Sequence, residues 1–132
     1  GHTGFKGTWL SLWLKKLGAN VSGISIDIPS NPSHFRAANL SSQIEDHRID
    51  VRDTDAVKHI IDDLEPDFVF HLAAQALVRP SYENPIATMM TNAIGSANVL
   101  DALRQLKRPV VAAWLGRFWL VAEKENASTQ NT

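Results

Sequence analysis

The sequence predicts an α/β fold, a doubly wound parallel sheet with helices on both faces. Three observations predict it. A glycine-rich loop, Gly1–Gly7, runs directly into a segment of helical spacing. Short apolar segments then alternate with longer helical ones. The first apolar segment closes on an acid, Asp27. Alternation of this kind makes each helix a crossover between parallel strands.

Taken in order, Thr8–Leu17 has Trp9, Leu10, Leu12, Trp13, Leu14 and Leu17 at helical spacing, and Gly18 supplies the stop. Val21–Ile26 reads as a buried strand ending at Asp27. Residues 28–43 hold Pro29, Asn31, Pro32 and several serines and read as loop. His47–Val51 reads as a strand. Asp53 or Thr54 then caps a helix to Leu64, with Val57, Ile60, Ile61 and Leu64 on one face. Glu65-Pro66 ends that helix. Asp67–Ala74, with Phe68-Val69-Phe70, reads as a third strand. A long helix over Pro85–Leu106 draws its apolar positions from Ile86, Met89, Met90, Ala93, Ile94, Ala97, Val99, Leu100 and Leu103. Pro109–Leu115 is a fourth strand, and the polar stretch Glu123–Thr132 is expected to fray. Residues 1–108 form one partial domain, and 109–132 a divergent strand and tail.

Composition narrows the function. The chain has 132 residues, 44% hydrophobic and 20% charged, as globular domains do. A net charge of -1 gives no basic excess for nucleic acid or an anionic membrane. No cysteine is present, which removes disulfides and Cys-ligated metal and fits a cytoplasmic setting. No apolar stretch approaches the ~18 residues of a membrane span. No signal-peptide pattern opens the chain.

Gly1-His2-Thr3-Gly4-Phe5-Lys6-Gly7 spaces its glycines G-x-x-G-x-x-G. Such a loop turns tightly and lets backbone N–H groups approach a pyrophosphate, and the helix start behind it adds positive partial charge. Asp27, at the end of the next strand, is placed to accept hydrogen bonds from adenosine ribose hydroxyls. It would repel a 2′-phosphate, so NAD is favoured over NADP. A doubly wound sheet begins with a strand before its glycine loop. Residue 1 is already a loop glycine, so that strand, and with it the true N-terminus, is expected to be missing from this sequence.

Thr3-Gly4-Phe5-Lys6-Gly7-Thr8-Trp9-Leu10, followed by Leu12-Trp13-Leu14, resembles the extended short-chain dehydrogenase/reductase superfamily, whose members are NAD-dependent epimerases and dehydratases. The Gly-His-Thr-Gly-Phe-Lys-Gly wording is similar to the CDP-glucose 4,6-dehydratases within it. Asp50-Val51-Arg52-Asp53, His71-Leu72-Ala73-Ala74-Gln75 and Arg79-Pro80-Ser81-Tyr82-Glu83-Asn84-Pro85, with Thr91-Asn92 and Gly95, extend the resemblance over about residues 1–108. It implies a Rossmann-like sheet, incomplete here because the first strand and the C-terminal substrate domain are absent. It implies bound NAD and a nucleotide-sugar substrate. The implied reaction oxidises the sugar at C4, loses water across C5–C6 and returns the hydride to C6. By position, Gly1, Thr3, Gly4, Phe5, Lys6 and Gly7 would line the pyrophosphate, mainly through backbone, and Asp27 would hold the ribose. Asp50 and Val51 would flank adenine. Leu72, Ala73, Ala74 and Gln75 would line the nicotinamide side, braced by Asn92.

Plainer roles stand beside these. Val51 and Leu72 also fit a core, His71 a satisfied strand histidine, and Arg79 a solvated loop cation. Tyr82 is not followed by Lys four residues on; Ile86 stands there. The family's catalytic Tyr-x-x-x-Lys, in which the Tyr works on the C4 hydroxyl, would lie beyond the next strand. Tyr82 is the only tyrosine, so no catalytic residue is assigned and the chain is expected to be inactive alone. A sugar-nucleotide epimerase or reductase of the same superfamily, and a non-catalytic NAD-binding module, remain as alternatives. Met89, Met90, Ala93 and Ala97 fit either a core or a homodimer face on the 85–106 helix. With the first strand absent, the helix bearing Trp9 and Trp13 is expected to lose packing surface and the chain to be marginally stable.

Overall fold

The computed structural model describes residues 1–114. The expected tail, Glu123–Thr132, and the last residue of the expected fourth strand, Leu115, lie outside the described residues. The elements are α1 (Phe5–Lys16), β1 (Ser22–Ser25), α2 (His34–Ala37), a 3-10 turn (Leu40–Ser42), β2 (Glu45–Arg48) and α3 (Thr54–Leu64). Then come β3 (Phe68–His71), α4 (Val78–Glu83), α5 (Pro85–Met89), a π-helical turn (Met90–Ile94), α6 (Gly95–Arg104) and β4 (Val111–Trp114). The α/β alternation is as the sequence predicts.

The strands form two parallel ladders. β1 pairs with β2, from Ser22 opposite Glu45 to Ser25 opposite Arg48. β3 pairs with β4, from Phe68 opposite Val111 to His71 opposite Trp114. Gly1 lies between the ladders. Its amino nitrogen donates to the Ile24 carbonyl. A Cβ built on it would stand 2.7 Å from the Ala73 nitrogen and 2.7 Å from the Leu72 carbonyl carbon. Gly1 thus ties the C-terminal end of β1 to the segment after β3, across the two separate ladders.

Helix α1 corrects an expectation. It begins at Phe5, inside the glycine loop, because Gly4 is its N-cap and Thr8 N–H already bonds the Gly4 carbonyl at 2.9 Å. Its buried face is Gly7, Thr8 and Ser11. Phe5, Trp9, Trp13 and Leu17 point outward, 56–70% exposed. The cause is close approach: a Cβ on Gly7 would lie 2.2 Å from the Gly1 carbonyl oxygen, so only small residues fit that side. Thr8 Oγ1 donates to the His2 carbonyl at 3.2 Å and Ser11 Oγ to the Gly7 carbonyl at 2.8 Å. Gly18, with φ of +88°, ends the helix as predicted.

Helix α3 opens on Asp53, whose Oδ1 accepts from Ala56 N at 3.0 Å. It packs Val57 and Ile61 against Val99, Ala102 and Leu103 of α6, with Val69 and Trp114 from β3 and β4 at the edge of this core. The single long helix expected over Pro85–Leu106 is divided by the π-helical turn, and α4 precedes it where loop was expected. Its apolar residues split between two faces. Val99 and Leu103 enter the core, while Ile86, Met89, Met90, Ala93, Ile94 and Ala97 are exposed.

Candidate functional site

A cleft opens where the C-terminal ends of β1, β2 and β3 converge on the glycine loop, the place where open α/β sheets bind ligands. The loop contributes Gly1, Thr3 and Gly4. The end of β1 contributes Ser25, Ile26 and Asp27. The turn after β2 contributes Ile49, Asp50, Val51 and Arg52, and the segment after β3 contributes Leu72, Ala73 and Ala74. Thr91 reaches it from the π-helical turn.

Three features make the cleft receptive to an anion with a sugar beside it. First, α1 starts on the cleft without a side-chain cap and without an acid in its first turn. Ser33, Asp53 and Asn84 cap α2, α3 and α5, while α4 is uncapped like α1 but does not start on the cleft. Uncapped first-turn N–H groups carry partial positive charge and seek an acceptor. Second, the three loop glycines differ. A Cβ on Gly1 or Gly7 would collide with backbone, but one on Gly4 would come only within 3.7 Å of the Gly1 carbonyl oxygen. Packing demands glycine at positions 1 and 7. At position 4 the bare backbone faces the cleft, which lets a ligand approach closely. Third, the Asp27 carboxylate has no hydrogen-bond partner among the described residues, whereas its backbone carbonyl accepts from Thr3 Oγ1 at 2.6 Å.

Asp50 is held otherwise. Its Oδ1 accepts from Arg52 N at 2.9 Å, and Arg52 Nε lies 2.9 Å from Oδ2. The Arg52 side-chain hydrogen bonds keep the Asp50 carboxyl below its ordinary range. Val51 is both wall and core. It is nearly buried, its carbonyl accepts from Asn98 Nδ2 at 2.9 Å, and its side chain occupies the space a Cβ on Gly95 would need.

Asn92 and Gln75 stand back from the cleft wall and brace it. Asn92 Oδ1 accepts from Gln75 N at 2.8 Å and Asn92 Nδ2 donates to Gln75 O at 3.0 Å, pinning the segment after β3 to the π-helical turn. Phe5, Lys6 and Gly7 do not line the cleft. The Phe5 ring stacks on His34 at 5.4 Å, Lys6 is exposed and Gly7 is internal. Of the residues with two possible roles, His71 is buried, with Nε2 3.0 Å from Ser96 Oγ. Arg79 is exposed and pairs with Glu83 at 2.8 Å. Leu72 is half-buried and lines the cleft.

Ser25, Ile49, Arg52 and Thr91 were not singled out from the sequence. Ser25 stands two residues before Asp27, on the same side of an extended strand, and that spacing is a usable signal. Arg52 follows Asp50 by two, the spacing of an Asx turn. No local pattern marks Ile49 or Thr91.

The family model described as GDP-mannose 4,6 dehydratase matches residues 1–115. The chain belongs to that family. The CDP-glucose 4,6-dehydratase of Salmonella typhimurium is 47% identical over 106 residues, which cover 80% of this chain and 30% of the relative. The UDP-glucose 4-epimerase of Mycoplasma pneumoniae is 31% identical over 110 residues, covering 83% of this chain and 32% of the relative. Among solved structures, the UDP-glucose 4-epimerase of Thermus thermophilus in complex with NAD superposes with a TM-score of 0.70 at 30% identity, covering 80% of this chain and 32% of that one. This member of the dehydratase family thus spans about a third of the length of the relatives it matches. Among the described residues, no helix is long and apolar enough to cross a membrane, and no cluster of three or more His, Asp or Glu forms a metal site.

Proposed function

We propose that this chain is the NAD-binding portion of a nucleotide-sugar 4,6-dehydratase, with CDP-glucose as the substrate of the whole enzyme. The observation that carries the reading is the meeting, in one cleft, of an uncapped helix start, the bare backbone at Gly4 and the unpartnered carboxylate of Asp27. These fit a dinucleotide. Backbone N–H groups of the loop would meet the pyrophosphate, with Gly1 and Gly7 setting the loop's shape. Asp27 would accept the ribose hydroxyls and repel a 2′-phosphate. Asp50 and Val51 would flank the adenine. Leu72, Ala73 and Ala74 would face the nicotinamide side, on a segment that Gln75 and Asn92 hold in place. When bound, NAD would supply the hydride-accepting and hydride-donating chemistry for oxidation at sugar C4 and reduction at C6. The 47% identity to the Salmonella enzyme supports CDP-glucose over other sugar nucleotides.

The 132 residues contain no Tyr-x-x-x-Lys, so the chain by itself would bind cofactor without turning over substrate. The epimerase likenesses favour a second reading, in which the same half-site serves a sugar epimerisation. The two separate in one assay on a full-length protein carrying this segment, supplied with CDP-glucose and NAD. A 4-keto-6-deoxy product supports the dehydratase; a C4 epimer with no loss of water contradicts it. The exposed apolar row of Ile86, Met89, Met90 and Ile94 is the surface through which two copies would pair.

A further inference from the structure

His2 crosses β1 to reach β2. Its ring fills the space above Gly23, where a Cβ would stand 2.3 Å from His2 Cγ. There His2 Nε2 meets Asp46 Oδ1 at 2.9 Å, in a contact between residues 44 apart in sequence. The other carboxylate oxygen, Oδ2, accepts from Arg48 Nη2 at 2.7 Å. Arg48 Nη1 in turn donates to the Asp27 carbonyl at 3.3 Å. Thr3 Oγ1 lies 2.6 Å and Ser25 Oγ 3.1 Å from that carbonyl, and the two hydroxyl oxygens are 2.6 Å apart, so one of them donates to the carbonyl and the other to its neighbour. The contacts form a closed circuit: glycine loop, β2, the end of β1, and back to the glycine loop through Thr3.

The chemistry of the circuit is fixed at its centre. A carboxylate only accepts, so the proton of His2 sits on Nε2. Burial lowers the His2 pKa, against the opposing pull of Asp46, so the ring is neutral near pH 7. The side chains of His2 and Asp46 are 6% and 17% exposed, so the pair is held away from bulk water. Arg48 also lies over the Phe35 ring, 5.4 Å from its centroid, which limits the orientations its guanidinium can take.

We propose that Asp46 is a positioning residue of the cofactor cleft: one carboxylate on β2 sets the glycine loop through His2 and the Asp27 backbone through Arg48. This inference rests on the NAD-binding reading. Asp46 lies outside the cleft wall and acts only through the residues it orients. It keeps the two halves of the cleft, for pyrophosphate and for ribose, in a fixed relation, so their contributions to binding are coupled.

The test is a double-mutant cycle on the full chain, read as NAD affinity by isothermal calorimetry with circular dichroism to verify folding. Asp46→Ala is expected to weaken NAD binding about tenfold in the native background and about threefold or less in Asp27→Ala, because the Arg48 arm still holds the backbone at position 27 but the carboxylate that this backbone presents to the ribose is gone. A merely structural role would cost the same factor in both backgrounds. Equal factors, or an Asp46→Ala effect under about twofold, overturn the inference and leave the cofactor reading intact. A folded native chain that binds no NAD overturns both. Should Asp46→Ala fail to fold, Arg48→Met takes its place in the cycle, since it leaves the His2–Asp46 pair whole. It must show the same unequal factors, and equal ones overturn the proposal.

Discussion

Replacing Gly7 by alanine should destabilise the chain, and the same change at Gly4 should not. At Gly7 the new Cβ would lie 2.2 Å from the Gly1 carbonyl oxygen and 2.6 Å from His2 Cα. Both are backbone atoms, so no rotamer change relieves the contact, and the loop must move by about 1 Å. Overpacking typically costs roughly 1–3 kcal/mol, and two backbone contacts this short put the site at about 2–3 kcal/mol, against roughly 1 kcal/mol gained from alanine's better helix propensity and smaller unfolded-state entropy. The net, about 1–2 kcal/mol, corresponds to a fall in melting temperature of roughly 3–10 °C in a chain of this size. At Gly4 the nearest atom would be 3.7 Å away and the N-cap backbone, φ −72° and ψ 168°, suits alanine. Alanine is the poorer N-cap by under ~1 kcal/mol, but it also restricts the unfolded chain by about 0.4–1 kcal/mol, so the expected change there is within about 0.5 kcal/mol. Thermal melts of both variants by circular dichroism make the comparison. A Gly7→Ala protein that melts as high as Gly4→Ala would refute the argument that packing, rather than a ligand, requires glycine at position 7.

Acid should weaken the fold through His71. Burial lowers its pKa from 6.5 to about 4. The unfolded chain then binds a proton that the folded chain refuses. The His71 contribution is therefore full above pH 6.5, falls between pH 6.5 and 4, and levels off below, a loss of about 3 kcal/mol measurable by urea titration across that range; His2, also lowered by burial, adds a loss of the same sign, so His71→Gln should reduce the dependence without abolishing it. Asn92→Ala should cost about 1–3 kcal/mol by leaving both backbone groups of Gln75 without partners, and a melt unchanged from the native chain would contradict the bracing role. Ile86→Glu, on the exposed apolar row, should convert a dimer to monomer in sedimentation experiments; a native chain that is monomeric at high concentration refutes the pairing.

Much of this was legible because period and punctuation agreed. The repeat of Val57, Ile60, Ile61 and Leu64 behind Asp53 marks α3, and Gly18 marks the end of α1. β2 was harder. Its residues, Glu45–Arg48, are all polar or charged, so apolar patterning placed the strand two residues late, on His47–Val51. Helix α1 misled for a different reason. Its apolar spacing placed the start at Thr8, three residues late, and the close approach at Gly7 that buries Thr8 and Ser11 is a tertiary fact that no helical period records. The π-helical turn was equally hidden, since Met90–Ile94 carries no proline or glycine to announce it. In the site, Gly1, Thr3, Gly4, Asp27, Asp50, Val51, Leu72, Ala73 and Ala74 do converge on one cleft. Phe5 and Lys6 are not among its lining residues, and with exposed side chains in the first turn of α1 they have only backbone to offer a ligand there. Nothing local could reveal the contact of His2 with Asp46, which depends on β1 and β2 lying side by side in the observed register.

The most direct measurement is a calorimetric titration of the purified, folded chain with NAD, repeated with Asp27→Ala. The account predicts saturable one-to-one binding, weakened about 10–100-fold by the substitution, the worth of hydrogen bonds to a charged acceptor. A chain whose circular dichroism shows native structure but which binds no NAD, or binds it equally well without the Asp27 carboxylate, would contradict it.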